Sequence, residues 1–295
     1  PFSLGAKDSL KHLADYIQDV EDIIYSEGTT YAIYAHASAG CLHVRPLVNL
    51  KSLKGREQYR NIGEQVVHAL LKYQGSITGE HGKGIARGRH QRILFGEQLS
   101  EAFREVKRAF DPANRMNPGK MVDAPEMDDP AVLRYTPEYS VMPLNTRFDW
   151  SADNGFGGAI EMCNGAGVCR KEDSGTMCPS YQATREEAYS TRGRANALRA
   201  AISGKLSGDL SNDGLFDTLD LCLSCKACKS ECPSSVDVAM LKADYLSMYH
   251  ERHGVPFKSR VFGNIHHINR LAGLFPSLSN FMLNSPLGKA PMQLL

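Results

Sequence analysis

Four cysteines in the second half of the chain have the residue type and spacing of iron ligands. Residues 222–233 read C-x2-C-x2-C-x3-C-P. In runs of this spacing, three cysteines hold one [4Fe–4S] cluster, and the fourth, followed by proline, serves another cluster. Zinc is the alternative, because C-x2-C pairs also bind zinc, but zinc gives no reason for three evenly spaced thiols and a C-P step. We therefore predict an iron–sulfur cluster on this segment.

A second set of cysteines upstream reads as an incomplete copy of this run. Cys163, Cys169 and the Cys178-Pro179 step keep its order, but an alanine stands where the middle cysteine would be. By the same exchange of ligands, one [4Fe–4S] cluster is held by Cys178, Cys222, Cys225 and Cys228. The thiols left for a second cluster are Cys163, Cys169 and Cys232. This second cluster is either [3Fe–4S] or a [4Fe–4S] cluster with a non-cysteine ligand; the alternative is that Cys163 and Cys169 are plain buried thiols.

The distribution of the cysteines also indicates in which cellular compartment the protein lies. Seven of the eight lie between residues 163 and 232. A disulfide framework would instead spread them over a small secreted domain. The clustering favours metal ligation in a reducing environment, so we expect a cytoplasmic protein.

A basic run separates the two cysteine sets. Its cations, set among helix-forming alanines, are Arg185, Arg192, Arg194, Arg199 and Lys205. We predict that they form a solvated helix face. The alternative places some of them beside the clusters, where they would favour the reduced form and raise its reduction potential.

Two histidines supply a different kind of metal ligand. His36 and His43 are seven residues apart. On a helix they would lie about 10 Å apart along the axis, too far to share a metal ion. On a hairpin turning at residues 39–40 they would be directly opposite, with Cβ atoms about 5 Å apart, which suits a shared ion. The β-like residues around them favour the hairpin.

A glycine-rich loop adds a carboxylate and an imidazole. Glu80 and His81 are adjacent within residues 79–84, which read G-E-H-G-K-G. Adjacent side chains diverge in regular structure, so we expect Glu80 to join the metal site while His81 faces a different atom of the substrate. The glycines allow the backbone to approach a ligand closely. The alternative is that these histidines are satisfied structural residues.

Alternating helical and β-like segments carry these residues. Apolar residues three and four positions apart predict helices over residues 9–27, 57–73 and 97–110. Two β-like runs, residues 30–36 and 42–48, lie between the first two helices. We predict an α+β layer, followed by a proline-rich segment with little periodicity and then a mostly helical, cysteine-bearing module.

Composition narrows the class of protein. The 295 residues include 34 Lys and Arg against 33 Asp and Glu, a net charge of +1. Nucleic-acid-binding domains are usually strongly basic, so we predict no nucleic-acid partner. No apolar run approaches the roughly 18 residues of a membrane-spanning helix. The chain starts at Pro1 without a signal peptide and ends without an evident stop, so we expect an internal fragment of a longer protein.

The order of the motifs resembles a known family. The pattern H-A-x-A-G-x-L-H-x-R-P at residues 36–46, the G-E-H-G-x-G loop and the ending at residues 110–120 resemble the C-terminal, substrate-side domain of FAD-linked oxidases of the vanillyl-alcohol-oxidase type. Followed by the cysteine module, this order resembles the large bacterial FAD and iron–sulfur D-2-hydroxyacid dehydrogenases. The upstream cysteine set is similar to that of the iron–sulfur subunit of succinate dehydrogenase, where it holds a [3Fe–4S] cluster. The resemblance covers about residues 1–124 and 160–250.

This resemblance implies an α+β fold in four segments. The first is an FAD-linked oxidase C-terminal domain, incomplete at its N-terminus, over residues 1–124, followed by a linker over residues 125–160. An α-helical ferredoxin-like iron–sulfur domain covers residues 161–250, and a helical tail covers residues 251–295. We expect FAD to be bound mainly by a part of the protein that this chain lacks.

The resemblance also implies roles for single residues. A divalent metal such as zinc or manganese is held by the residues that match His36, His43 and Glu80. The residue matching His81 is the general base, and Asn117 matches a segment that returns to the flavin cofactor. Arg45 stands where metal-dependent D-2-hydroxyglutarate enzymes tend to carry asparagine, and an arginine is well shaped to bind a substrate carboxylate with two hydrogen bonds.

The activity implied is the oxidation of a D-2-hydroxy acid, of the D-2-hydroxyglutarate or D-lactate class, to the 2-oxo acid. Electrons would pass from FAD through the iron–sulfur clusters to an external acceptor, a quinone or a carrier protein. The alternative is a pure iron–sulfur electron-transfer subunit of a quinone-linked complex, with no substrate site of its own. Peripheral attachment to the inner face of the membrane and homo-oligomerisation both stay open.

Overall fold

The computed structural model describes residues 2–3, 9–36, 41–207 and 209–286. The chain divides into two compact units, Pro1–Tyr139 and Ser140–Leu295. The first unit carries a small sheet and helices, whereas the described residues of the second form helices and single 3-10 turns without a strand. This confirms the predicted α+β class. The finer division into four segments stays a prediction.

The first unit is built on a three-stranded antiparallel sheet. Its strands, with β3 in the middle, are β1 (Phe2–Ser3), β2 (Tyr31–His36) and β3 (Cys41–Pro46). Leu42 and Val44 of β3 pack into the hydrophobic core formed with the helices. Because side chains alternate across a strand, His43 and Arg45 lie on the opposite face of the sheet.

Two long helices supply most of that core. The helices of this unit are α1 (Leu13–Ser26), α2 (Leu53–Lys72), α3 (Gly84–Gly88) and α4 (Gln91–Phe110). Tyr16, Val20 and Ile24 lie four residues apart on one face of α1 and are buried in a cluster with residues of α2 such as Val66 and Leu70. Burying each such aliphatic side chain stabilises the unit by roughly 1.5–3 kcal/mol.

Two helix starts differ from the sequence prediction for identifiable reasons. α2 begins before residue 57, because the Ser52 hydroxyl accepts a hydrogen bond from Gly55 N at 3.0 Å and caps the first turn. α4 begins at Gln91 and passes through a kink at Gly96, where φ is 73°. The predicted helix 97–110 is the part after that kink. Its apolar face is exposed in the structure and consists of Leu99, Phe103, Val106 and Phe110.

A long irregular segment follows α4. Residues 111–150, all of them described, form neither helix nor strand. Asp111 holds its start, because its carboxylate pairs with Lys107 and accepts hydrogen bonds from the backbone N–H groups of Arg115 (2.9 Å) and Met116 (2.8 Å). The Lys107 ammonium and these N–H groups lower the pKa of Asp111 to about 2. The turn carrying Asn117 is thereby tied to the end of α4.

The second unit is a helical bundle centred on one helix. Its helices are α5 (Gly155–Glu161), α6 (Pro179–Thr184), α7 (Thr191–Ile202), α8 (Asp213–Asp220), α9 (Ala227–Glu231), α10 (Val238–His253), α11 (Phe257–Gly263), α12 (Ile265–Leu274) and α13 (Pro276–Asn284). α7 packs against α5, α8 and α10. Leu198 and Ile202 of α7 share a buried core with Leu241 and Tyr245 of α10.

A buried carboxylate fixes the entry to this bundle. Asp244 of α10 is fully buried and accepts hydrogen bonds from Trp150 Nε1 and from Arg147 N, both at 2.7 Å. These two donors lie just before α5, so the irregular segment is attached to α10 at a defined point. A buried carboxylate needs such donors, because its desolvation is otherwise costly.

The last three helices differ from the rest of the bundle. α11, α12 and α13 contain no buried residue. Their exposed apolar side chains include Phe257, Leu271, Phe275 and Phe281. Among the described residues, no helix combines the length and apolar character that crossing a bilayer requires.

Candidate metal centre and cysteine cavities

The two histidines lie on one face of the sheet, but not in the predicted register. The prediction that His36 is directly opposite His43 is wrong, because His36 pairs with Cys41 and His43 pairs with Tyr34. The paired strand ends leave four residues, 37–40, in the connection, and these lie outside the described residues. A two-position shift of register keeps side chains on the same face, so the histidines are diagonal neighbours.

The loop after α2 brings a carboxylate to this face. Glu80 Oε1 lies 2.8 Å from His43 Nε2, and Glu80 Oε2 lies 3.5 Å from His36 Nε2. One ligand atom from each of the three residues lies within 4.8 Å of the others. The structure therefore brings together the three residues that the sequence singled out as metal ligands. That they bind a metal stays a prediction.

The chemistry of the trio fits a divalent ion. His43 is 7% exposed, and its buried Nε2 has no hydrogen bond of acceptable geometry although the Glu80 carboxylate is close. Burial lowers the pKa of His43, against the opposing effect of Glu80, and so favours the neutral imidazole that can ligate a metal. Two imidazoles and one carboxylate are a ligand set that zinc uses in catalytic sites, where a further position stays open.

His81 and Arg45 flank this trio. His81 is exposed, with its Nε2 3.4 Å from Glu80 Oε1 and its ring centroid 5.6 Å from that of His43. The Arg45 guanidinium lies over the ring of Tyr34 at 4.8 Å, and the Tyr34 ring stacks on His43 at 4.7 Å. Sequence reasoning missed Tyr34, although its position two residues before His36 on a strand places it on the same face.

Asn117 occupies a tight turn after α4. Its φ is 48°, a left-handed conformation that asparagine tolerates. Its side-chain oxygen accepts a hydrogen bond from Lys120 Nζ at 3.2 Å, and the residue is exposed. The predicted contact of Asn117 with flavin stays a prediction.

Four cysteines of the second unit line one cavity, which we call the first cavity. They come from the residue before α6, the segment between α8 and α9, and α9 itself, and they are Cys178, Cys222, Cys225 and Cys228. Glu231 of α9 accepts hydrogen bonds from Thr176 N (2.9 Å) and Met177 N (3.3 Å). These bonds hold the next residue, Cys178, close to the other three cysteines. Lys242 donates to the carbonyl oxygens of Asp220 and Cys222, both at 2.8 Å, and anchors the α8–α9 segment on α10.

The remaining three cysteines line a separate second cavity. Cys163 follows α5, Cys169 lies in a 3-10 turn and Cys232 follows α9. The other described residues that line the second cavity include no cysteine, histidine or carboxylate. Burial raises the pKa of the thiol of Cys169, as it does for Cys228 in the first cavity. The structure thus separates the thiols into the predicted sets of four and three, while their metal ligation stays a prediction.

The first turn of α7 lies beside both cavities. Thr191 lines each of them, and Arg192 N donates to Cys169 Sγ at 3.3 Å. Arg194 lines the first cavity and donates from Nη1 to Cys178 Sγ at 3.4 Å. Gly193 allows this turn to fit, because a Cβ there would lie 2.0 Å from the Glu187 carbonyl oxygen. The predicted solvated face is therefore wrong for Arg194, although Arg185 is exposed as expected.

Comparison with protein families finds matches for two separate segments of the chain. Residues 9–121 match the C-terminal domain of FAD linked oxidases. Residues 159–236 match a 4Fe-4S dicluster domain. Both matches confirm the resemblance carried by the motifs. No solved structure matches the chain.

Curated relatives extend over both domains. The chain is 33% identical to D-2-hydroxyglutarate dehydrogenase of Escherichia coli (strain K12), over 94% of the chain and 30% of that protein. It is 32% identical to D-2-hydroxyglutarate dehydrogenase of Pantoea ananatis (strain AJ13355), with the same coverage of both. D-lactate dehydrogenase of Archaeoglobus fulgidus is 33% identical over 37% of the chain and 24% of that protein. The chain therefore spans less than a third of the length of these relatives.

Proposed function

Since residues 9–121 belong to the FAD-linked oxidase C-terminal domains and residues 159–236 to the 4Fe-4S dicluster domains, we propose that this chain is part of a flavin-dependent D-2-hydroxyacid dehydrogenase. The enzyme oxidises the hydroxy acid to the 2-oxo acid and releases the electrons through iron–sulfur clusters. The observation that carries this proposal is the trio His36, His43 and Glu80 beside His81 on one face of the oxidase domain. We propose D-2-hydroxyglutarate as the substrate, because two relatives named D-2-hydroxyglutarate dehydrogenase match 94% of the chain.

The trio and Arg45 bind and orient the substrate. A zinc or manganese ion on His36, His43 and Glu80 would act as a Lewis acid toward the hydroxyl and carboxylate oxygens of the hydroxy acid. Arg45 is exposed on the same face and presents several N–H donors in a planar fork that matches a carboxylate. Stacking on Tyr34 restricts the Arg45 guanidinium to the vicinity of His43.

His81 takes the proton of the substrate hydroxyl. Its imidazole lies next to the carboxylate of Glu80 but is exposed, so it can reach a substrate bound at the open side of the trio. A general base must lie within hydrogen-bond reach of the proton that it removes. FAD supplies the hydride acceptor. The glycines on both sides of the Glu80–His81 pair let this loop approach the substrate closely.

The cysteines of the second unit carry electrons away from the flavin. We assign a [4Fe–4S] cluster to the first cavity, on Cys178, Cys222, Cys225 and Cys228. We assign a [3Fe–4S] cluster to the second cavity, on Cys163, Cys169 and Cys232, since no further described residue with an iron-ligating side chain lines it. The acceptor is a quinone or a carrier protein, and the reducing conditions that these thiols need place the enzyme in the cytoplasm.

The proposal is tested on the complete enzyme with its flavin. We expect purified protein to contain a non-iron divalent metal, which His36→Ala removes and which the matched control His68→Ala, an exposed histidine on α2, retains. D-2-Hydroxyglutarate and D-lactate are then compared as substrates with an artificial acceptor. His81→Ala should abolish turnover while flavin and iron stay bound.

Two outcomes would contradict the proposal. If the non-iron metal is absent from wild type, or is unaffected by His36→Ala, the trio is not a metal site. If an external electron donor reduces the clusters of the complete protein but the protein oxidises neither hydroxy acid, the chain belongs to a pure electron-transfer subunit instead.

A further inference from the structure

A buried arginine lies at the wall of the first cavity. Arg194, in the first turn of α7, is 1% exposed. Among the described residues, no carboxylate forms an ion pair with its guanidinium. A buried charge without a counter-charge is costly to the fold, since desolvation of the ion is not repaid. The position of Arg194 therefore calls for an anion within reach.

The hydrogen bonds of Arg194 point to where that anion lies. Nε donates to the Thr218 carbonyl oxygen at 2.9 Å, which fixes the plane of the guanidinium. Nη1 donates to Cys178 Sγ at 3.4 Å, and Nη2 is buried with no hydrogen-bond partner among the described residues. Buried charged donors nearly always have a partner, because a buried donor without one loses its hydration and gains nothing in return. Arg194 lines the first cavity, so we expect the acceptor of its unpartnered Nη2 to lie there.

We propose that Arg194 is the internal counter-ion of the cluster in the first cavity and raises its reduction potential by donating hydrogen bonds to the cluster and its Cys178 ligand. This inference rests on the proposed [4Fe–4S] cluster at that position. A cluster with four thiolate ligands is anionic, and one-electron reduction makes it more so. A buried cation and its N–H donors stabilise the reduced, more negative form more strongly than the oxidised form. The cluster then accepts an electron more readily.

The other cations near the cysteines already have hydrogen-bond or ion-pair partners, or are exposed to water. Arg192 pairs with both carboxylate oxygens of Glu187, at 2.7 and 3.0 Å. Lys242 is buried but directs its ammonium to two backbone carbonyl oxygens and does not line the first cavity. Lys226 lines the first cavity but is exposed, so water screens its charge. Arg194 is the described cation at this cavity that combines burial with uncommitted donors.

The test is a redox titration of the complete enzyme. Anaerobic wild-type protein, Arg194→Gln, Arg194→Lys and the control Arg185→Gln are poised at a series of potentials, and the signal of the reduced [4Fe–4S] cluster is followed by electron paramagnetic resonance. Arg185 is a suitable control, because it is an exposed arginine of the same unit, bonded through Nη2 to the Glu172 carbonyl oxygen at 2.9 Å. Iron and sulfide are measured for every variant.

We expect Arg194→Gln to lower the equilibrium constant for reduction of the cluster at least tenfold. For a one-electron couple, this is a fall of about 59 mV in the reduction potential. Arg194→Lys keeps the charge but loses the forked donors, so its potential should fall by less, and Arg185→Gln should match wild type. A wild-type potential in Arg194→Gln with full iron content would overturn the inference. If Arg194→Gln fails to fold or to hold iron, Arg194→Lys decides: a lowered potential supports the inference, and a wild-type potential overturns it.

These outcomes separate the inference from the function on which it rests. Absence of any [4Fe–4S] signal from anaerobic wild-type protein would contradict the assigned cluster itself. A normal cluster in wild type, with no dependence of its potential on residue 194, would contradict only the role of Arg194.

Discussion

Replacing Glu80 by glutamine should remove the metal from the trio while leaving the fold intact. The amide keeps the shape of the side chain and one oxygen ligand, but it removes the negative charge that lies between His36 and His43. At a ligand distance of about 2.1 Å, even the dielectric constant of water, about 80, gives an attraction of about 4 kcal/mol between a carboxylate and a divalent ion. We therefore expect the affinity of the trio for the divalent metal to fall by a factor of about 1,000 or more.

Competition with a chelator measures this change directly. The complete enzyme, stripped of its divalent metal, is titrated with zinc or manganese in the presence of a fluorescent chelator of known affinity. Glu105→Gln is the matched control, because it removes an exposed carboxylate of α4 for which no hydrogen bond or ion pair occurs among the described residues. Wild-type affinity in Glu80→Gln, with circular dichroism unchanged, would refute the assignment of Glu80 as a ligand.

Three further predictions concern stability and can be checked by urea unfolding. Trp150→Phe removes the 2.7 Å hydrogen bond to buried Asp244 and should destabilise the second unit by about 1–3 kcal/mol, with wild-type stability as the contradicting result. Leu70→Ala creates a cavity at a fully buried position of the first unit and should lower its free energy of unfolding by about 2–5 kcal/mol; an unchanged free energy of unfolding would contradict the burial of Leu70 in that core. Burial, with a smaller contribution from Arg89, lowers the pKa of His90 to about 4. The unfolded chain therefore binds more protons below about pH 6.5, and stability should fall by at most about 2 kcal/mol between about pH 7.5 and about pH 5. His90→Gln should flatten this profile, and an unchanged slope would show that another group is responsible.

The burial of Arg194 shows why a charge pattern alone misleads. In the sequence, five cations separated by helix-forming residues are typical of a solvated helix face. The structure buries Arg194, because α7 turns its first residues toward the cysteines and is surrounded by α5, α8 and α10. Arg185, at the end of α6, is exposed. Which face of a helix meets solvent depends on its neighbours. Those neighbours are distant in sequence.

The strand register shows a related limit. The spacing of His36 and His43 was sufficient to reject a helix and to place both residues on one face of a hairpin. It did not determine which residues are opposite, because a register shift of two leaves the alternation of side chains unchanged. Only the observed strand register showed that His43 pairs with Tyr34, over whose ring the Arg45 guanidinium lies.

Residue type and local spacing by themselves predicted which side chains of this protein hold metals and in which sets. Thiols separated by two or three residues, and a carboxylate beside an imidazole between glycines, indicate their chemistry without reference to the rest of the chain. Only the tertiary structure showed that Glu80 reaches His36 on β2 and His43 on β3. It also showed that the two predicted sets of thiols line separate cavities and that Arg194 lines the first of them. These contacts join residues tens of positions apart, and long-range packing, which local sequence does not encode, sets their geometry.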